Sequence, residues 1–225
     1  MQVKFKLSEY EKYYTLKERT MYPDINLEKV KGSELGRGAD KIVYRHLQKP
    51  SHCLKICSKN RSNATQREIR YFEFLKKRNV HASFIPEFYG AFEGADFIGF
   101  EQECILDKAN GGQYDFVLPL SKYIRDPASN LSEIRDMLAK LKKEMILTNV
   151  IVCDLHGLNI LVVGKKSSKY LVVIDGYGSP EFIPLPKYFS FFGKMKIERQ
   201  WKKLETRLER AFNEKIQLDN QLNNA

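Results

Sequence analysis

The chain has 225 residues, 43% hydrophobic and 29% charged, an ordinary soluble globular composition with enough length for one domain or two small lobes. No apolar run reaches bilayer-spanning length, and no apolar stretch follows Lys4 and Lys6 as a secretory signal requires, so a cytoplasmic location is expected. The net charge of +10 points either to an anionic partner (a nucleotide, a phosphorylated substrate, nucleic acid or a membrane surface) or to general solubility with no single basic face.

Residues 1–30, rich in Tyr and Lys with weak periodicity, read as an irregular or partly helical lead-in. Gly32, Gly36 and Gly38 then punctuate short strands. Lys41 to His46 sets Ile42 and Tyr44 against Val43, and His52 to Cys57 sets Leu54 and Ile56 against Lys55, so both segments are predicted strands. Thr65 to Arg78 places Ile69, Phe72 and Leu75 on one side of a helix. Phe84 to Phe92 is a loop leading into a strand, and Asp96 to Ile105 is a strand. In residues 106–119, Asn110-Gly111-Gly112 marks a turn, such as that of a hairpin. A short helix is expected near Ser121 to Arg125.

Asn130 reads as an N-cap with Glu133 as its capping-box partner, opening a helix to about Thr148 that carries Ile134, Leu138, Leu141 and Met145. Val150 to Val163 reads as strand, turn and strand, and Tyr170 to Ile174 as a strand ending at Asp175-Gly176. Pro180, Pro184 and Pro186 break the chain before a final helix with Ile197, Trp201, Leu204, Leu208 and Phe212 on one stripe. Between Lys187 and Lys215 stand nine basic and four acidic residues, so this tail is locally basic. Cys53, Cys57, Cys104 and Cys153 form no CxxC pair and have no His-rich neighbours, so they read as buried free thiols.

Four groups carry chemistry. Gly36-Arg37-Gly38 is either a simple turn or a loop whose backbone approaches a phosphate. Lys55 lies on the solvent face of an edge strand or is a cation aimed at phosphates, with Glu68, or failing that Glu73, as its carboxylate partner. Asp154 and Asn159 bracket a tight loop, where they either stabilise the turn or accept a proton and ligate magnesium. Asp175 begins an Asp-Gly turn or offers a hard-cation ligand at a strand end.

The order of these groups resembles the protein-kinase-like superfamily, with its Gly-rich loop, strand Lys, helix Glu, Asp-x-x-x-x-Asn catalytic loop and metal-binding Asp. The chain is more similar still to the bacterial YrbL-like family of PhoP-regulatory-network proteins. Leu35-Gly36-Arg37-Gly38, Arg67 to Phe72, Ile85 to Gly90, Leu158 to Leu161, Ile183 to Pro186 and Glu198 to Lys202 carry that resemblance. It implies an α+β, bilobal kinase-like fold: a β-rich N-lobe at 31–105 after the lead-in 1–30, and a reduced, mainly helical C-lobe at 106–225. The likeness to the protein-kinase-like superfamily implies ATP and Mg2+ as cofactors. Gly36, Gly38, Val43, Lys55 and Glu68 would bind ATP, and Asn159 and Asp175 the metal. Asp154 would act as catalytic base with Lys55 beside the phosphates, and His156 would contact substrate or serve the loop.

The pattern departs from a conventional protein kinase. Lys41 stands where the third loop glycine is usual, Val152-Cys153 replaces His-Arg before Asp154, and Gly176-Tyr177 follows Asp175. Only 47 residues follow Gly178, too few for the large peptide-binding helical lobe. The leading expectation is a phosphotransferase whose acceptor is a small molecule, a lipid or saccharide headgroup, or a protein site. A non-catalytic kinase-like regulator is the alternative, and a nucleic-acid-associated protein the third reading. The basic C-terminal helix would meet an anionic partner.

Overall fold

Strand alternation in the first half of the chain builds one antiparallel sheet from β1 (Glu34–Arg37), β2 (Ile42–Arg45), β3 (His52–Ser58), β4 (Phe88–Glu93) and β5 (Phe97–Glu103), in the order β1-β2-β3-β5-β4. The computed structural model describes residues 33–108, 114–164, 168–180 and 185–223; the lead-in at 1–30 and the Asn110-Gly111-Gly112 turn lie outside the described residues. Successive side chains leave opposite faces of a strand, and that decides the burial here. Tyr44, Leu54, Ile56 and Phe92 bury a small cluster on one face. Cys57, Ile98 and Phe100 enter the main core on the other.

Helix α1 (Asn63–Lys77) covers that second face with Ile69, Phe72 and Leu75. The Phe72 ring stacks on Phe88 at 5.3 Å and meets Phe100 at 5.8 Å and Tyr177 at 4.8 Å. Full burial of a side chain of this size contributes roughly 1.5–3 kcal/mol, so a few such rings fix how the helix sits on the sheet.

Strands β6 (Leu106–Lys108) and β7 (Tyr114–Phe116) pair antiparallel, as the hairpin reading requires. Helix α2 (Leu120–Tyr123) and helix α3 (Leu131–Thr148) follow. Asn130 caps α3, its Oδ1 accepting from the Ser132 N–H at 2.8 Å and the Glu133 N–H at 3.1 Å. The reciprocal half of the capping box is not formed; Glu133 turns its carboxylate to the Lys169 ammonium at 2.9 Å, where it meets a full charge.

Strands β8 (Ile160–Val163) and β9 (Tyr170–Val173) form a second antiparallel pair, followed by α4 (Leu185–Tyr188) and the 34-residue α5 (Ser190–Asn223). The first strand expected within Val150–Val163 is extended chain with one bridge, Val152 to Tyr177. The Ile151 N–H goes to the Tyr71 hydroxyl at 2.7 Å, which takes that group out of any ladder. One core joins both halves of the chain, since Ile69 and Phe72 of α1 share it with Ile134, Val173, Leu204 and Leu208. The architecture is mixed α+β. All four cysteines are free thiols; Cys53, Cys57 and Cys104 are buried, and Cys153 is half-buried beside Asp154.

Candidate functional site

Val43 pairs in register with Lys55, and Lys41 precedes Val43 by two residues, so all three leave the same face of the sheet. That face looks onto α1 and the segment after β9. Lys55 is buried, not on a solvent face; its ammonium donates to the Ile174 carbonyl and lies 5.5 Å from the centre of the Phe100 ring. Glu68, rather than Glu73, is the α1 carboxylate at this place, and it is 2% exposed.

The cation in contact with Glu68 is Lys41. Its Nζ lies 2.5 Å from Glu68 Oε2 and 2.5 Å from Asp175 Oδ1. Lys41 has a long stem at the open end of β2, whereas Lys55 is held in mid-strand and donates to backbone. Burial alone would raise the Asp175 carboxyl, but the ammonium groups of Lys55 and Lys41 and the Gly176 N–H outweigh it and hold that carboxyl well below the usual range. Burial dominates at Glu68 and leaves its carboxyl raised, although Lys41 and Lys55 pull it down. Burial likewise opposes the charge on Lys41, yet Glu68 and Asp175 raise its ammonium above the ordinary value. Two cations and two carboxylates therefore balance inside the site.

The catalytic-loop candidates lie beside the segment that carries Asp175. Cys153 N–H donates to the Gly176 carbonyl at 2.8 Å, Gly178 N–H to Ile151 at 2.9 Å, and Ile174 N–H to Asn159 at 2.8 Å. These bonds run residues 151–154 beside 174–178. Gly176 has φ +86, and a Cβ there would stand 3.0 Å from both Cβ and O of Asp154. Only glycine adopts this backbone without strain and lets Asp154 pass so near Asp175. The Asn159 amide N–H donates to the Asp154 carbonyl at 3.1 Å, which leaves the amide oxygen for another partner.

Asp154 itself is open to solvent, its side chain 55% exposed. The Leu158 N–H donates to His156 Nδ1 at 3.3 Å, which puts the proton of a neutral imidazole on Nε2, 3.5 Å from Asp154 Oδ2. Arg207 of α5 stands on the other side, its Nη1 3.6 Å from Asp154 Oδ1 and bonded to the Leu155 carbonyl at 3.0 Å. An exposed carboxylate flanked in this way can accept a proton while its neighbours steady an anion. Gly36 faces open space, with no atom within 4 Å of where a Cβ would be, and Gly38 N–H closes the β1–β2 turn on the Lys41 carbonyl at 2.8 Å.

The structure thus gathers Lys55, Glu68, Asp154, His156, Asn159 and Asp175, with Val43 at the sheet face, Gly36 paired with Val43 in β1 and Gly38 in the β1–β2 turn. Sequence reasoning missed three residues. Lys41 was visible only as a break in the glycine pattern, although its two-residue offset from Val43 predicts its direction. Arg67 on α1 reaches Cys153 Sγ at 3.8 Å and buries its Nε with no hydrogen-bond partner. Arg207 had nothing to single it out from the other basic residues of the tail. Among the described residues, no three His, Cys, Asp or Glu side chains cluster as a resident metal cage.

A five-stranded antiparallel sheet, a helix laying a buried glutamate on it and a carboxylate-bearing loop pair define an α+β protein with a balanced ionic centre. The chain belongs to the YrbL family: the family model described as "PhoP regulatory network protein YrbL" matches residues 25–209. It is 26% identical over 175 residues to the Escherichia coli (strain K12) protein named "Uncharacterized protein YrbL", which covers 76% of this chain and 82% of that protein. The Shigella flexneri protein of the same name matches to the same extent. Among the described residues, no helix is long and apolar enough to cross a membrane.

Proposed function

We propose that this chain is a kinase-like phosphotransferase that uses ATP and Mg2+, with an acceptor hydroxyl on a small molecule or a lipid or saccharide headgroup. In this reading residues 31–105 are the N-lobe of a bilobal kinase-like fold, residues 106–225 a reduced C-lobe, and the protein works in the cytoplasm. The observation that carries it is the convergence of Asp154, Asn159 and Asp175 on one side of the site with Lys41 and Lys55 on the other.

The donor chemistry fits the metal. Asp175 and the amide oxygen of Asn159 are hard oxygen donors, and Mg2+ is commonly held by one or two protein oxygens together with substrate phosphates. When bound, it would neutralise charge on the transferred phosphoryl group. Asp154, exposed between His156 at 3.5 Å and Arg207 at 3.6 Å, would take the proton of the acceptor hydroxyl. Lys55 and Lys41 would supply positive charge to the nucleotide phosphates, and Glu68 would anchor whichever ammonium stays. Gly36, Gly38 and Val43 would line the nucleotide's side of the sheet.

Thermal stabilisation by ATP with and without Mg2+ tests this on the wild type and on Asp175→Asn. A ligand that binds only the folded state raises stability by RT ln(1 + [L]/Kd), so weak affinity is visible. A magnesium-dependent shift lost in the variant is expected; no shift in the wild type at millimolar Mg-ATP rejects the reading. One observation favours a second reading, a non-catalytic regulator in a PhoP-type network: Lys41 already satisfies both Glu68 and Asp175. Full cellular function in Asp154→Ala would select it.

A further inference from the structure

We propose that the junction of α4 and α5 is a docking surface for an anionic lipid bilayer. This inference needs no phosphotransfer and stands apart from the reading above. Phe191, Phe192 and Met195 share one side of the first turns of α5, and Tyr188 at the end of α4 and Phe189 at the junction lie beside them. Each of these five side chains is between 42% and 68% exposed. Phe192 meets Phe191 at 5.5 Å and Phe189 at 6.4 Å, so the rings form one patch. Eight consecutive residues thus hold five of the twelve exposed large hydrophobics among the described residues. The other seven are spread from Leu47 to Ile216, as on any protein surface.

The patch is held outward. A Cβ at Gly193 would stand 1.7 Å from Asn149 Oδ1, and the Asn149 amide donates to the Pro186 carbonyl at 3.0 Å. The first fastens the start of α5, and the second fastens α4, to the residue that ends α3. The opposite stripe of α5 is already in the core through Ile197, Trp201, Leu204 and Leu208, so the helix cannot roll to hide its phenylalanines.

The charges around the patch select the occupant. Lys187 precedes it, exposed Lys194 lies within it, and Arg199, Lys202 and Lys203 follow over the next two turns. The acid in this stretch, Glu198, is bridged to Lys142 at 2.8 Å. An aromatic and aliphatic stripe bordered by lysines is the pattern of a helix lying in the interface of a membrane with anionic headgroups. A second copy is disfavoured, because a twofold contact would set this basic patch against itself. Single-stranded nucleic acid is disfavoured because a ridge that includes methionine offers no groove of separated ring faces.

Flotation of the full-length chain with phosphatidylcholine vesicles, with and without phosphatidylglycerol, is the test. The wild type is expected to float with the anionic vesicles, and less so as salt rises. Phe191→Ser with Met195→Ser should lower partitioning by about tenfold or more, and Lys194→Glu by about fivefold or more, with melting temperature unchanged in both. In Phe191→Trp the new indole should be quenched by brominated lipid, while Trp201 stays buried. The proposal is overturned if the wild type ignores anionic vesicles, as it would were residues 1–32 to cover the patch. It is also overturned if the double variant floats as well as wild type, or if light scattering shows a dimer that the variant dissociates without any vesicle binding.

Discussion

Replacing Lys41 with Met keeps the stem of the side chain and removes the one charge that touches both Glu68 and Asp175. Stripping one partner from a buried ion pair costs about 3–5 kcal/mol. Asp175 is 34% exposed, so solvent screens part of its loss, and Lys55 still acts on both carboxylates. A cost of about 2–3 kcal/mol follows after that discount. For a chain of this length each kcal/mol lowers the melting temperature by about 2–4 °C, so a drop of roughly 4–12 °C is expected near neutral pH.

The pH dependence of that drop has a definite sign. The Lys41 ammonium is raised in the fold, so its contribution is complete below the ordinary lysine pKa and is lost only in alkali. The Asp175 carboxyl is depressed, so its contribution is present above the ordinary carboxylate pKa and disappears as pH falls through the folded value. Glu68 is raised by burial and takes up its proton earlier on acidification, after which it no longer needs a counter-charge. The gap between wild type and Lys41→Met should therefore be widest near neutrality and close in acid. Melting curves by circular dichroism across that range measure it. Equal melting temperatures at neutral pH, or a gap that widens in acid, would refute the ion-pair account.

Two further changes separate chemistry from stability. On the proposed phosphotransferase reading, Asp154→Asn should reduce ATP turnover by about 10²–10⁴, the usual contribution of a general base, while leaving the melting temperature in place because the side chain is 55% exposed; coupled-enzyme ADP release and a thermal melt read the two effects. Gly176→Ala should lower the urea midpoint by the equivalent of about 1–3 kcal/mol, from a strained left-handed backbone pressed on Asp154, with the denaturant slope unchanged. A Gly176→Ala protein as stable as wild type would mean that this turn relaxes freely.

Much of this fold was legible because burial follows periodicity. Ile69, Phe72 and Leu75 recur in α1 and admit one core face, and the alternation of Leu54 and Ile56 with Lys55 marks β3 as a strand although both of its faces are buried. Val150-Ile151-Val152 defeated the same logic: three apolar residues buried on all sides look like a ladder strand, yet their backbone meets Met145, Tyr71 and Gly178. The exposed stripe from Tyr188 to Met195 was illegible for the converse reason. At helical spacing it looks like core, and only the packing of Ile197 and Trp201 shows which stripe of α5 is covered. At the site, the residue types were readable, but the partner of Glu68 was not. Spacing gives the direction of Lys41 and Lys55 but not their reach.

The reach of Lys41 leads to a last prediction. Asp175 Oδ1 already accepts from Lys41 at 2.5 Å and from the Gly176 N–H at 2.7 Å. A dication about 4 Å from the ammonium would be repelled by roughly 8 kcal/mol at an effective dielectric of about 20. On the proposed Mg-ATP reading Lys41 has to leave Asp175 for the metal to bind there, and its flexible stem would let it follow the negative charge of a nucleotide. Lys41→Met should then have opposite effects on two ligands. Mg2+ alone should stabilise the variant more than the wild type, because nothing competes for Asp175. Mg-ATP should stabilise the variant less, because a phosphate-seeking cation is gone. Isothermal titration with MgCl2 and then with Mg-ATP measures both. Shifts in the same direction for the two ligands would show that Lys41 is a fixed structural counter-ion and takes no part in nucleotide binding.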